Sequence, residues 1–207
     1  MVFPNSLFLN VFSIRCRRIL GWVVVLVTLA GCSLLSPAPE MAVPELGGFA
    51  VSGRLAVRHA DDGFSSSFLW QHATHLDEIE LWGPLGQGRS RLVGERGMVT
   101  VYTAKGEIFK EPSVEAGMQR WLGFSLPLGA LTYWIRGQAA PGFPAELLMK
   151  DDRGELAMLD QLGWKLEFTR YRSADDDRRV PGRIVAARGD IKVTLLPGEW
   201  SFAAAPG

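Results

Sequence analysis

The sequence predicts an α+β fold: a strongly curved antiparallel β-sheet, a partly closed barrel, covered by helices. Three observations predict it. Apolar residues recur with period two from Phe49 onward, the period switches to helical in the middle of the chain, and alternation returns near the end. Strands, then two helices, then strands again is how a helix layer segregates onto one face of an antiparallel sheet. A concave sheet covered in this way can enclose an apolar cavity.

The elements follow in order. Phe49, Val51, Leu55 and Val57 fall on one face, with Ser52, Arg54 and Arg58 on the other, the mark of a half-buried strand. Phe64, Phe68 and Trp70 repeat the pattern against Ser65, Ser67 and Gln71, and Ile79 and Leu81 repeat it against Glu78 and Glu80. Asp61-Asp62-Gly63 and Ala73-Thr74-His75 supply the turns between them. Further strands are expected around residues 90–93 and 99–103, joined by Glu95-Arg96-Gly97.

Val114, Met118, Trp121 and Leu122 then stand at i, i+4, i+7 and i+8, one apolar stripe of a helix. Ser113 can cap its start and Gly123 its end. A second helix is expected over residues 127–136, with Leu128, Leu131 and Ile135 on one face, Pro127 in the first turn and Gly137 just past the end. After a proline- and glycine-bearing stretch, Trp164, Leu166 and Phe168 alternate with polar neighbours, as do Ile191, Val193 and Leu195. No segment repeats at a fixed period, which argues against solenoids and propellers.

The N-terminus reads as a lipoprotein signal. Arg15, Arg17 and Arg18 precede an apolar run of eleven residues, 19–29. A bilayer-spanning helix needs roughly 20 apolar residues, so the run fits the core of a secretory signal. It leads into Leu29-Ala30-Gly31-Cys32, the lipobox order, with Cys32 as the residue to be lipidated and cleavage before it. Ser33 follows, a residue permissive for export to the outer membrane where aspartate would retain a lipoprotein in the inner one. The expected organisation is a signal over 1–31, a lipidated tether over 32–47 with several prolines, and one domain over 48–207. That domain keeps no cysteine, so its core alone must hold it.

The full chain has 22 basic and 22 acidic residues; loss of the signal's three arginines leaves 19 against 22, a net charge of −3. This balance gives no basic footprint for nucleic acid. His59, His72 and His75 sit in or near early hairpins, where strand and turn geometry points them apart. The acidic runs at Asp61-Asp62, Asp151-Asp152 and Asp175 to Asp177 read as solvated loops. With no nucleophile elbow, phosphate loop or metal-protease helix in the sequence, the chain is expected to be no enzyme, without metal or cofactor, and monomeric.

One turn stands apart. Trp82-Gly83-Pro84-Leu85-Gly86 places an apolar residue among turn formers. Such a tip either folds back onto the sheet or is offered to something apolar outside; local physics alone favours folding back.

Behind the lipobox come Gly53-Arg54-Leu55-Ala56-Val57, Phe68-Leu69-Trp70-Gln71 and Gly83-Pro84-Leu85-Gly86. Leu126-Pro127-Leu128-Gly129-Ala130-Leu131, Tyr133-Trp134-Ile135-Arg136-Gly137 and Gln161-Leu162-Gly163-Trp164 follow, with Phe168 and Tyr171, and the chain closes with Pro181 before a strand pair ending near Trp200. In this order the motifs resemble the LolB family over residues 48–202, essentially the whole expected domain. The resemblance implies an unclosed β-barrel lidded by helices around a cavity for acyl chains. It implies an outer-membrane receptor that takes triacylated lipoproteins from a periplasmic, LolA-like carrier and inserts them into the inner leaflet. It also gives Leu85, on its Pro84-Leu85-Gly86 turn, the role of a membrane-insertion finger, with Trp82 as an interfacial aromatic or a core residue.

Val51, Leu55, Phe68, Trp70, Ile79, Leu81 and Leu166 are the expected members of the cavity lining. Alternation by itself does not separate a lined cavity from a dry core. A lipoprotein that only scaffolds envelope assembly is the competing role, and it would have no acyl cavity.

Overall fold

The computed structural model describes residues 48–95, 97–174 and 178–203. The expected signal, Cys32 and the tether lie outside them, as do Arg96 and the acidic run at 175–177. The chain order is β1 (Phe49–His59), β2 (Asp62–Ala73), β3 (Leu76–Trp82), β4 (Ser90–Glu95), β5 (Met98–Tyr102), β6 (Ile108–Glu111), α1 (Val114–Leu122) and α2 (Leu128–Trp134). It continues with β7 (Ala145–Lys150), β8 (Leu156–Gln161), β9 (Trp164–Thr169), β10 (Arg172–Ser173), β11 (Arg179–Val180), β12 (Arg183–Arg188) and β13 (Ile191–Phe202).

Eleven strands form one antiparallel sheet in the order β6-β5-β4-β3-β2-β1-β13-β12-β9-β8-β7, and β10 and β11 form a separate pair. The sheet is curved and unclosed, with β6 and β7 at its two edges. Because consecutive strands β6 and β7 lie at opposite edges, the chain between them must cross the sheet, and α1 and α2 lie in that crossing. The two expected helices therefore cover the concave face as a matter of connectivity.

The centre of the sheet joins the two ends of the domain. β1 pairs with β13 from Phe49↔Phe202 to His59↔Ile191, with a register shift between Val51 and Gly53. That irregularity explains how Pro197, opposite Gly53, is tolerated in a central strand. It also requires glycine: a Cβ on Gly53 would lie 2.4 Å from the Leu196 carbonyl oxygen. Bulges of this kind bend a strand and deepen curvature.

Cross-strand rows carry the core inward. Trp70 stands opposite Val51 and Ile79, Phe68 opposite Gly53 and Leu81, and Leu166 opposite Leu159 and Ala186. These apolar side chains are buried, while Arg58, Lys165, Glu167 and Lys192 of the alternate positions are exposed.

α1 matches its expected limits. The Ser113 hydroxyl accepts from the Ala116 N–H at 3.1 Å, and Gly123 takes the left-handed conformation at φ 81°. α2 is shorter than expected. Pro127 precedes it in extended geometry (φ −71°, ψ 91°), and the helix proper ends at Trp134. Beyond it, Arg136 N–H bonds Tyr133 O and Gly137 N–H bonds Trp134 O, a tightened closing turn. The first hairpin turn lies at Ala60-Asp61, with Ala60 at φ 51°, and β2 already begins at Asp62.

Candidate functional site: an apolar cavity and an exposed leucine turn

Thirteen residues, all apolar, line a cavity between the sheet and the crossing segment. Leu55 (β1), Phe68 and Trp70 (β2), Ile79 and Leu81 (β3) and Leu195 (β13) form its wall. Met118, Trp121 and Leu122 of α1, Phe124 and Leu126 of the following loop, and Leu131 and Ile135 at α2 form its lid. With no ionisable or hydroxyl side chain in the lining, the chamber has no means of proton transfer or nucleophilic attack. What it can do is shelter apolar surface from water, worth roughly 25 cal/mol per Å².

The cavity is small. Its volume is about 50 Å³, against the roughly 300–1,000 Å³ of ordinary ligand pockets. A chamber of this volume is too small for an acyl chain. In the lid, α1 rests on β5 through a close approach. A Cβ on Gly117 would meet Val99 Cγ1 at 2.4 Å, so glycine lets the helix lie flat on the sheet.

Five of the expected lining residues, Leu55, Phe68, Trp70, Ile79 and Leu81, come together on this wall. Val51 and Leu166 are buried in the core but do not line the cavity. Leu195 and the lid residues were not singled out as lining. Met118, Trp121, Leu122, Leu131 and Ile135 were legible only as helical stripes facing the sheet. Phe124 and Leu126 sit in a loop and carry no periodic signal at all.

β3 leads from the cavity wall directly to the leucine turn. Past Ile79 and Leu81 it ends at Trp82, and residues 83–87 close on themselves: Gly83 N–H to Gln87 O at 2.8 Å, Gly86 N–H to Gly83 O at 3.2 Å and Gln87 N–H to Pro84 O at 3.3 Å. Leu85 is 91% exposed, so the fold-back that local physics favours does not occur. Its backbone is left-handed (φ 59°, ψ 23°), a conformation a branched side chain rarely adopts. Pro84 is exposed and Gly86 half-buried beside it. Trp82 is half-buried on the sheet's outer face, with the Arg89 guanidinium 5.5 Å from its ring centroid.

At the far end of the wall, Asp77 accepts from Trp70 Nε1 at 2.9 Å and lies 2.8 Å from His72 Nδ1. His72, expected as a turn residue, is half-buried in the Phe49, Trp70 and Trp200 cluster. His59 faces Asp190 at 3.7 Å.

A curved sheet lidded by a helical crossing, with an all-apolar interior, is the architecture of a protein that shelters apolar chains. The family model of "Outer membrane lipoprotein LolB" matches residues 48–200. The chain belongs to the LolB family, the outer-membrane lipoprotein receptors. It is 30% identical to the outer-membrane lipoprotein LolB of Chromohalobacter salexigens over 92% of this chain and 93% of that one. It is 32% identical to that of Azoarcus sp. strain BH72 over 84% and 90%. A solved LolA superfamily protein from Nitrosomonas europaea aligns at 9% identity, with a TM-score of 0.46, over 77% of this chain and 87% of that one.

Proposed function

We propose that this receptor accepts triacylated lipoproteins from a periplasmic, LolA-like carrier into the cavity beneath α1, and releases them into the inner leaflet of the outer membrane through the Leu85 turn. The observation that carries the reading is the continuity of β3, which supplies Ile79 and Leu81 to an all-apolar chamber and ends in a leucine 91% exposed. In this reading Cys32 bears the lipid that anchors the domain on the periplasmic face, with residues 33–47 as its tether.

The energetics fit transfer by contact. Each buried methylene is worth about 0.8 kcal/mol, so one acyl chain binds a membrane marginally and three bind almost irreversibly. Such a cargo cannot be released into water. Passage from carrier to receptor to bilayer then needs apolar surfaces in series and graded affinity, with no reaction at the site. A scaffold role without acyl binding would leave the cavity and the exposed Leu85 without use.

The test loads the carrier with a labelled lipoprotein and mixes it with the wild-type chain or Leu85→Glu, with and without vesicles. Wild type should draw label from the carrier and pass it to vesicles, while Leu85→Glu should draw label and retain it. Normal delivery by Leu85→Glu would remove the finger role; label that never leaves the carrier would remove the receptor role.

A further inference from the structure

On the outer face of the sheet, at the root of the Leu85 turn, lies an open groove of about 440 Å³ bordered by Gly83 and Pro84. Two cross-strand rows floor it. One runs Trp82–Ser67–Arg54–Leu196 across β3, β2, β1 and β13, and the other runs Ser65–Ala56–Thr194. Ala56 at the centre of the second row leaves the depression open between its taller neighbours.

The chemistry of the lining is one-sided. It holds one cation, Arg54, with Ser65, Ser67 and Thr194 on the same face of the sheet, and no carboxylate. Arg54 is exposed and makes no ion pair or side-chain hydrogen bond among the described residues. The nearby Arg89 and Arg91 are different, because Glu80 and Glu78 hold them at 3.3 and 2.6 Å. The Ser66 hydroxyl is already directed at the Ser67 and Trp82 carbonyls. Among the described residues the Ser65, Ser67 and Thr194 hydroxyls donate to no other group, and they share the groove with the Arg54 guanidinium. A fork of N–H donors flanked by hydroxyls suits a phosphate oxyanion.

We propose that this groove receives the phosphate of an anionic phospholipid in the bilayer that Leu85 enters. The inference rests on the finger reading of Leu85 and adds a second, polar contact to it. With the leucine among the acyl chains, the surface at the root of the turn lies at headgroup level. Trp82, at the end of the Arg54 row, is the residue type that favours that depth. Phosphate capture there would hold the turn in the bilayer while cargo passes along β3.

The experiment uses the lipid-anchored chain carrying Gln87→Cys, labelled at position 87 with a fluorophore that brominated acyl chains quench. Vesicles are phosphatidylcholine alone or phosphatidylcholine with phosphatidylglycerol. Anionic lipid should raise quenching in the parent. Arg54→Glu should cancel that gain, weakening insertion about fivefold, the effect of one basic residue at an anionic surface. Arg54→Lys should keep most of it, and both variants should accept cargo from the carrier normally. Quenching that responds to anionic lipid equally in the parent and in Arg54→Glu would overturn the groove and leave the finger standing. A parent that is quenched on neither vesicle would overturn the finger, and the groove with it.

Discussion

Trp134 Nε1 donates a 2.9 Å hydrogen bond to Gln161 Oε1, and neither side chain is more than 1% exposed. The same oxygen accepts from the Ala140 N–H at 2.9 Å, while Gln161 Nε2 donates to the Ala140 and Phe143 carbonyls at 3.0 and 2.9 Å. Both lone pairs and both amide protons are used, the full capacity of a glutamine. One side chain on β8 therefore ties down the end of α2 and the segment leading to β7.

Gln161→Leu keeps the volume and strands three buried partners, the Trp134 indole N–H and the Ala140 N–H and carbonyl, and the part-buried Phe143 carbonyl. Each costs about 1–3 kcal/mol when left unsatisfied, and partial relaxation should leave a net loss of about 3 kcal/mol. Urea unfolding of the two proteins measures it. A loss as small as that of an ordinary surface substitution would mean that water enters and replaces the amide.

Leu85 adopts a backbone conformation that costs a non-glycine residue about 1–2 kcal/mol. Asparagine tolerates that region better. Leu85→Asn should therefore raise stability by about 1 kcal/mol and slow delivery of cargo to vesicles. A gain in stability with normal delivery would show that the leucine is retained for neither purpose.

The period-two runs in β1, β2, β3 and β9 and the helical stripe of α1 were readable because each has one buried face. The strands that alternation does not reveal lack that property. All six residues of β7 are exposed at a sheet edge, and β12 runs Ile-Val-Ala-Ala without alternation. β8 follows β7 through two register shifts. Leu85 was visible as an apolar residue among turn formers. Its outward direction depends on its own left-handed backbone and on three hydrogen bonds within residues 83–87, which composition does not encode. Phe124 and Leu126 reach the cavity because of where the crossing segment lies, a consequence of strand order.

Tyr171 supplies a pH dependence. Its hydroxyl donates to the Leu156 carbonyl at 2.7 Å, and burial, followed by the charges of Glu155 and Asp151, raises its pKa well above the ordinary value. The folded state thus keeps a proton that the unfolded chain releases from about pH 10. The stabilisation is whole below that pH and shrinks as pH rises through and above it. Tyr171→Phe should lose about 1 kcal/mol at pH 8 and flatten the alkaline decline in urea midpoint. An equally steep decline in the variant would assign it to other groups.

The lid can be tested by fastening it. A Cβ on Gly117 lies 3.7 Å from Val99 Cβ, within the roughly 3.5–4.5 Å separation of disulfide-bonded cysteines. Gly117→Cys with Val99→Cys also removes the Val99 methyl that the new side chain would strike. The only cysteines of the natural sequence are Cys16 and Cys32, outside the described domain. The oxidised double variant should be more stable, by up to about 3 kcal/mol for a loop of this length. Its uptake of an apolar fluorescent probe and of carrier-borne cargo should fall to background, and a thiol reductant should restore both. A rise in stability with a loss of uptake separates locking from unfolding, because an unfolded domain would lose both together. Undiminished uptake by the locked form would mean that acyl chains enter without α1 leaving β5, which would place the opening at the Phe124 and Leu126 loop.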